Sequence, residues 1–372
     1  MLQQAFNSVD VAVVGKFVSS QAMAAVGGNG PIINLLINLF VGISVGANVV
    51  IARYIGQKAD EKVKETVKTS QVLSIISGFL LMFIGMFAAR PMLEAIGTPS
   101  DILTLATSYL RVYFLGMPAF MFFNFGAAIL RSVGDTKRPL ISLLFGSILN
   151  AILNCIFVVA FDWGVYGVAI ATVISQAVSG VLCLIYMKKK FAILHMEEGE
   201  WSPDFRYIGT LLSSGVPMGL QYSITAIGSV ILQASVNELG SAAVASVTAG
   251  GKVNLFFTCP FDALGGTMAT WAGQNVGAGK PDRVHKGLMN ALLLGAVYSV
   301  LACAFLSFFG KNVALLFLDS GEAEILTNAQ TFLRVNSAAY LLLLCVNVFR
   351  FCIQGMGYSL FAILAGVCEM VA

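Results

Sequence analysis

The sequence of 372 residues has few charged side chains. Asp, Glu, Lys and Arg make up 11% of it and hydrophobic residues 58%, against roughly 25% charged residues in an average soluble domain. So few charges cannot cover the surface of a soluble fold, which excludes an ordinary soluble protein. The sequence also lacks HExxH and CxxC spacings, a phosphate-binding glycine loop and a nucleophile–base set in a suitable context, and both histidines, His195 and His285, fall in polar loops. These absences argue against an enzyme.

The seven cysteines lie inside hydrophobic stretches, with no pairing pattern in the loops. We interpret them as small apolar side chains and not as a disulfide framework or a metal site. No cofactor is expected from the sequence.

The chain contains instead long uncharged stretches. A helix needs about 20 residues to cross roughly 30 Å of hydrocarbon. Six stretches carry no Asp, Glu, Lys or Arg: Pro31–Ala52, Ser70–Ala89, Pro139–Phe161, Gly164–Met187, Tyr207–Asn237 and Gly287–Gly310. Three more contain only one or two charges: Ile102–Leu130, Ser241–Gly273 and Ile325–Gln354. With the shorter apolar runs at both ends, the sequence predicts an all-α, polytopic membrane protein of about eleven spans.

Positive residues are concentrated in alternate loops. Lys and Arg cluster at 53–68, 131–138, 188–206 and 280–286, whereas the other loops hold only Arg90 and Lys311. By the positive-inside rule the Lys/Arg-rich loops are cytoplasmic. The loops predicted to lie outside are those near Ser20, Gly97, Asp162, Gly240 and Ser320.

The sequence repeats itself with a period of about 222 residues. The matching positions are Ala24 and Ala245, Gly56 and Gly277, Arg111 and Arg334, and Gly134 and Gly357. The repeat predicts two bundles of six helices related by a parallel pseudo-two-fold axis. The predicted parts are an N-terminal lobe at 1–187 with a partial first helix, a cytoplasmic linker at 188–206, and a C-terminal lobe at 207–372 whose last helices are missing or partial. The substrate path is expected between the lobes.

Four polar side chains are predicted at similar depths in the first lobe. Asp10, Asn154 and Thr172 each lie about eight residues from a predicted external loop, which is roughly 12 Å along a helix. Asn150 shares a helix face with Asn154, one turn deeper. One carboxylate beside amide and hydroxyl oxygens is a ligand set that suits a hard cation, and the carboxyl group alone can carry a proton. The alternative is that Asp10 only pairs with Lys16 at the outer interface.

Four sequence segments resemble those of the multidrug and toxic compound extrusion (MATE) transporters. They are Val9–Gly15 with Ala24–Gly27, Leu130–Pro139, Gly167–Thr172 and Gly273–Lys280. The resemblance implies twelve helices in two lobes, a multi-pass protein of the cell membrane, alternating access, and export driven by inward movement of protons or sodium ions.

The resemblance also places the family's first-lobe ion or proton site, a possible sodium site, on Asp10, Asn150, Asn154 and Thr172. Many members carry an acid where this chain has Asn154, so the site is expected to hold less negative charge. By the resemblance, the second-lobe acids of some members correspond to Thr225 and Leu343 here, and second-lobe coupling of that kind is not expected.

Four further residues are assigned to the substrate cavity: Asp262, Gln221, Met117 and Phe120. Asp262 follows the helix-kinking Pro260 and can either attract a cationic substrate or form a structural bond across its lobe. Met117 and Phe120 can line an apolar cavity, or they can be ordinary packing residues.

The sequence therefore predicts an antiporter that exports small cationic or amphipathic organic compounds in exchange for protons or sodium ions. The expected partners are a small organic substrate and membrane lipid, with no nucleic acid, and the expected state is a monomer. A flippase for lipid-linked precursors is the alternative, but it should line its cavity with several Lys or Arg residues, and buried positive charges are few here.

Overall fold

Helices account for nearly all of the residues described in the computed structural model of the chain. The described residues are 30–95, 98, 100–191, 205–239, 241–315 and 323–371, with Val13, Val14, Phe17, Val18, Ala22 and Val26. The helices up to residue 191 are α1 (Gly30–Gly56), α2 (Asp60–Ala95), α3 (Ser100–Leu115), α4 (Met117–Ser132), α5 (Lys137–Asn154) and α6 (Gly164–Lys190). Those that follow are α7 (Phe205–Glu238), α8 (Ser241–Gly277), α9 (Pro281–Ala314), α10 (Ala323–Ala338), α11 (Tyr340–Gly355) and α12 (Leu360–Val371).

Eight of the nine predicted spans lie within one of these helices or within a pair of consecutive helices. The ninth, Pro139–Phe161, runs through α5 and the turn Cys155–Ala160 and ends one residue beyond that turn. Five helices, α1, α2, α5 with the turn that follows it, α6 and α9, are long and apolar enough to cross a membrane. The pairs α3/α4 and α10/α11 also meet this criterion, each bent at a short break, by 48° and 47° respectively.

Large apolar side chains point outward from these helices. Phe87 of α2 is 80% exposed and Phe308 of α9 is 81% exposed, and Leu293 and Leu301 of α9 are also exposed. Contiguous exposed apolar surface of this kind is unfavourable in water and matches lipid.

The local structure confirms the repeat. The two bends fall at Gly116 and Ala339, 223 residues apart, and each of these two amides donates at 3.0 Å to the carbonyl three residues earlier. The helix ends repeat as well, because α4 and α11 are followed by Gly134 and Gly357, both with positive φ angles of 84° and 98°. A left-handed residue just after the last helical turn is a common way to end a helix.

By their contacts, the residues form two compact units, Met1–Ser223 and Ile224–Ala372. The division falls inside α7 because the first part of α7 packs backbone to backbone against α1 within the first unit. A Cβ atom on Gly219 would lie 2.2 Å from the carbonyl oxygen of Leu39, and one on Gly215 would lie 2.6 Å from Cα of Ile43. The lobes and linker derived from the sequence repeat remain a prediction.

Each unit has its own apolar core. In the first unit, Leu81, Phe114 and Met121 lie in a buried cluster that α2, α3, α4 and α6 share. In the second unit, Phe261 and Leu344 are buried together between α8 and α11. These cores fix the helices that carry the polar residues described below.

Candidate functional site

Three of the four residues predicted for the ion site meet between α5 and α6. The amide Nδ2 of Asn150 donates to Oγ1 of Thr172 at 3.2 Å, and Nδ2 of Asn154 donates to Oδ1 of Asn150 at 3.2 Å. All three side chains are buried, with relative exposures of 1%, 0% and 6% for Asn150, Asn154 and Thr172. Asp10, the fourth, lies outside the described residues. The spacing of four between the asparagines places them on one face of α5, as the sequence predicts.

Small residues allow α5 and α6 to approach closely enough for these bonds. A Cβ on Gly146 would lie 2.1 Å from Oγ of Ser179, so glycine is needed there. The same Ser179 hydroxyl contacts the carbonyl of Ser142 on α5 at 3.1 Å, and the Ser175 hydroxyl donates to the carbonyl of Ala171 at 2.7 Å. The two helices therefore share a polar seam, with the Asn150 cluster towards its predicted outer end.

A wide helical turn follows the cluster directly. After Asn154 the helix continues as a π-helix over Cys155–Ala160, which the sequence analysis did not predict. Phe161 N donates to the carbonyl of Ile156, five residues earlier, at 3.0 Å. π-turns inside α-helices are rare and often occur at functional sites. The apolar sequence of this segment does not predict the turn, because the same residue types form ordinary α-helix elsewhere in the chain.

Aromatic packing accompanies the π-turn. Phe157 stacks on Trp163 with ring centroids 5.1 Å apart and on Phe161 at 6.2 Å. Gly167 of α6 lies against Phe157, where a Cβ would come within 3.0 Å of Cβ of Phe157. The turn is therefore held by stacked rings on one side and by α6 on the other.

The cluster supplies neutral oxygen and nitrogen atoms and no charge of its own. Amide and hydroxyl oxygens are ligands that hard cations accept, but a cation held in a membrane interior also needs a nearby negative charge. Among the residues that the structure describes, no group of three or more His, Cys, Asp or Glu side chains could hold a metal ion. The cation chemistry of this cluster therefore depends on the predicted contribution of Asp10.

The residues predicted for the substrate cavity have different surroundings. Met117 is buried in the core of the first unit, and Phe120 packs against that core while partly exposed. Gln221 is buried in the same unit. These positions favour the packing interpretation for Met117, and a role in substrate binding remains a prediction for all three.

Asp262 belongs to the second unit and is exposed. Its Oδ1 accepts a hydrogen bond from Nδ2 of Asn347 on α11 at 3.2 Å. The bond across the unit is the structural alternative that the sequence analysis left open. It does not prevent the exposed carboxylate from facing a substrate.

The second unit contains an ion pair that the sequence did not predict. Arg350 of α11 pairs with Glu369 of α12, and its guanidinium also donates to Oδ1 of Asn347. Arg350 was visible in the sequence as a charge within the predicted span Ile325–Gln354. Its partner could not be identified, because Glu369 is 19 residues away on another helix.

A family model described as MatE matches residues 1–156 and 217–372 of the chain. The two matched segments cover most of the sequence and correspond to its two repeats.

The chain is also similar in sequence to curated proteins that are named for multidrug resistance or transport. The chain is 29% identical over 243 residues to the "Probable multidrug resistance protein YpnP" of Bacillus subtilis, covering 64% of this chain and 53% of that protein. It is 27% identical over 350 residues to the "Probable multidrug resistance protein YoeA" of the same organism, covering 92% and 75%. A third relative, the "FAD transporter" of Shewanella oneidensis, is 25% identical and covers 78% and 65%. The chain thus spans about half the length of the first of these relatives and three quarters of the second.

Solved structures share the fold. A structure titled "Crystal structure of MATE in the bent conformation" superposes with a TM-score of 0.90 at 24% identity, covering 99% of this chain and 81% of that one. Another, described as the outward-facing conformation of a multidrug resistance MATE family transporter of the MOP superfamily, gives 0.91 at 24% identity, covering 98% and 81%. This likeness confirms the predicted all-α, two-bundle membrane fold.

Proposed function

The chain belongs to the MatE family of multidrug efflux transporters, and we propose that it is a secondary active antiporter of the cell membrane. In this proposal it exports small cationic or amphipathic organic compounds in exchange for protons or sodium ions, by alternating access. The family is a transporter family, and we assign the chain no enzymatic activity. The proposed partners are the organic substrate and membrane lipid, without nucleic acid, and the proposed state is a monomer.

The buried Asn150–Asn154–Thr172 cluster is the observation that carries the proposal. Three buried polar side chains inside apolar helices are costly unless they bind one another or a ligand. Their hydrogen bonds form a directional chain from Asn154 through Asn150 to Thr172. In the proposed mechanism, Asp10 holds a proton or sodium ion, and these three side chains contribute the neutral polar atoms around it.

The absence of a second acid shapes the expected coupling. With Asn154 where many members have an acid, the site has one carboxylate, so binding one monovalent cation neutralises it. We therefore propose an exchange of one cation per cycle at this site. A cationic substrate near Asp10 would favour release of that cation, because like charges repel at short distance in a medium of low dielectric constant.

The proposed substrate class is supported by the names of two relatives and by the negative charge of Asp262. Two of the relatives above are named as probable multidrug resistance proteins, and the exposed Asp262 supports attraction of a cationic compound. Another relative is named for FAD, an anion at neutral pH, so the substrate class needs its own measurement.

The proposal is tested by transport in proteoliposomes that contain the full native chain. Efflux of the fluorescent cation ethidium is followed under a proton gradient and under a sodium gradient separately. We expect one gradient to drive transport, and we expect Asp10→Asn to abolish it without loss of insertion or expression.

The matched control is Asp162→Asn, which removes an exposed acid in a predicted external loop. It should leave transport unchanged. Transport that survives Asp10→Asn refutes the coupling mechanism, and no ethidium transport with either ion would favour the flippase alternative.

A further inference from the structure

A chain of hydrogen-bonded polar side chains crosses the second unit from α7 to α8. Oγ1 of Thr225 on α7 donates to Oε2 of Glu369 on α12 at 3.0 Å, and Glu369 pairs with Arg350 of α11. Arg350 donates to Oδ1 of Asn347, whose Nδ2 donates to Oδ1 of Asp262 on α8 at 3.2 Å. We call these five residues the second-unit network. It links four helices through side chains alone.

The network is covered at its centre, and both of its acidic residues, Asp262 and Glu369, are exposed. The side chain of Arg350 is 10% exposed and that of Glu369 is 28% exposed, and Asn347 is buried. Asp262 is exposed. A proton can therefore reach or leave Asp262 while Arg350 and Asn347 stay covered.

The charges in the network do not balance. When all groups are ionised, Asp262 and Glu369 contribute two negative charges and Arg350 one positive charge. A surplus negative charge within membrane helices is unfavourable, whereas a neutral network of paired groups is not. One bound monovalent cation removes the surplus.

A proton suits the site better than a metal ion. The guanidinium of Arg350 repels a metal cation, and Asn347 Oδ1 already accepts from Arg350. A proton needs no ligand shell, since it forms one O–H bond on the Asp262 carboxylate. Arg350 then remains paired with Glu369, and the network is neutral.

Other titratable groups on the helices packed against α8 have partners of their own. Tyr340 of α11 donates to Oδ1 of Asn254 at 2.7 Å, and Tyr298 of α9 donates to the carbonyl of Phe257 at 2.9 Å. Arg334 of α10 donates to the carbonyl of Ser307 on α9 at 3.0 Å. Within the described residues, Arg350 and Glu369 are the charges that hydrogen bonds and ion pairing connect to Asp262.

We propose that the second-unit network is a proton-binding site in which Asp262 takes up one proton because Arg350 neutralises only one of the two carboxylates. This site is additional to the predicted ion site of the first unit. Its use in transport rests on the proposed function, but its proton binding does not. The proton comes from water at the exposed side of Asp262 and returns there.

Infrared difference spectroscopy of the purified full chain between acidic and alkaline pH tests the proposal without transport. Protonation of Asp262 should contribute one carboxylic-acid C=O band that Asp262→Asn lacks. Over the same pH step, the native chain should take up one proton more than the Asp262→Asn variant. A spectrum and proton count unchanged by Asp262→Asn would overturn the proposal.

Charge variants distinguish the network from an isolated carboxyl group. Glu369→Gln removes the surplus charge, so Asp262 should stay ionised beside Arg350 and the band should disappear although Asp262 is intact. The double variant Arg350→Gln with Glu369→Gln restores the surplus of one, and the band should return. This double variant removes both members of the ion pair together, so it also serves where a single variant fails to fold. A band that persists in Glu369→Gln contradicts the proposal.

The control pair is Arg90 and Glu94 of α2, which form an exposed ion pair at 2.8 Å. The variant with both residues changed to Gln should leave the Asp262 band as in the native chain. Failure of ethidium transport with an intact Asp262 band would reject the proposed antiport and keep the proton site. Transport with no such band would reject the proton site alone.

Discussion

Asn124 and Asn347 occupy matching positions of the repeat, 223 residues apart on α4 and α11, but they bond differently. Asn124 Nδ2 donates to the carbonyl of Phe120 in its own helix at 2.8 Å. Asn347 bridges Arg350 and Asp262 on different helices. At the repeat position of Arg350 the first unit has Ala127. A duplicated helix framework therefore carries a neutral polar cluster in one unit and a charged network in the other.

This contrast shows that the two repeats share their helix bends and helix ends but not the contacts of their polar side chains. Gly134 and Gly357 keep the same left-handed turn in both copies. Backbone conformation at a helix end depends on one residue, whereas a network depends on side chains from several helices. The variants below are chosen to break or sharpen the contrast, from the largest expected effect to the smallest.

Arg350→Leu should have the largest effect on stability. It leaves Glu369 and Asp262 without the guanidinium of Arg350. Because Glu369 is exposed, we expect a loss of up to about 3 kcal/mol, the low end of the range for fully buried pairs. We expect a lower free energy of unfolding in detergent, measured by thermal denaturation. The double variant Arg350→Leu with Glu369→Gln should recover most of the loss, and a full-sized loss in the double variant would contradict the charge argument.

Gly146→Ala should disturb the first unit. The added Cβ would lie 2.1 Å from Oγ of Ser179, so α5 and α6 must separate. Overpacking of this kind costs about 1–3 kcal/mol, and separation should also weaken the Asn150–Thr172 hydrogen bond and reduce ethidium efflux.

The matched control for that variant is Gly266→Ala in α8, where an added Cβ meets no atom within 4 Å. Alanine is favoured over glycine inside a helix by roughly 0.5–1 kcal/mol, so this variant should be neutral or slightly stabilising. Equal losses of stability in both variants would show that crowding against Ser179 is not the cause.

Thr172→Val should have an intermediate effect. It keeps the side-chain shape but removes the acceptor for Asn150, a loss of about 1 kcal/mol for a typical hydrogen bond. We expect a clear loss of ion-driven efflux, although the free energy of unfolding changes only by this small amount. Thr172→Ser retains the hydroxyl and should restore efflux, and failure of the serine variant to do so would indicate a packing role for the methyl group.

Asn124→Leu should have the smallest effect, within about 0.5 kcal/mol, because its bond to its own helix carbonyl adds little to a bond the helix already makes. Asn347→Leu should cost more, since it leaves Asp262 without its donor. Thermal denaturation of the two variants in parallel tests the comparison directly. Similar losses in both would mean that the repeat mates have the same role after all.

The sequence predicted the framework and part of the site. Uncharged stretches identified the helices because apolar length is a strong requirement of the bilayer. The pairing of Asn150, Asn154 and Thr172 followed from counting residues from the external loops, since rise per residue is constant in a helix. The resemblance to a known family then assigned these residues a role.

Other features depend on contacts between distant residues and had no such signal. The ion pair of Arg350 and Glu369 needs the crossing of α11 and α12, and the π-turn after Asn154 needs the fit of Phe157 against Gly167. The residue type of Met117 is compatible with lining an apolar cavity, but whether its side chain is buried depends on the neighbouring helices. Hydropathy and residue spacing do not predict which helices cross or where they touch.

The bends at Gly116 and Ala339 have a consequence for how these two spans sit in a bilayer. Each of α3, α4, α10 and α11 contains 16 residues, about 24 Å of helix at 1.5 Å per residue. No single segment bridges roughly 30 Å of hydrocarbon. The joints must therefore lie at intermediate depth in the bilayer, so that the two segments of each bent pair cross it together.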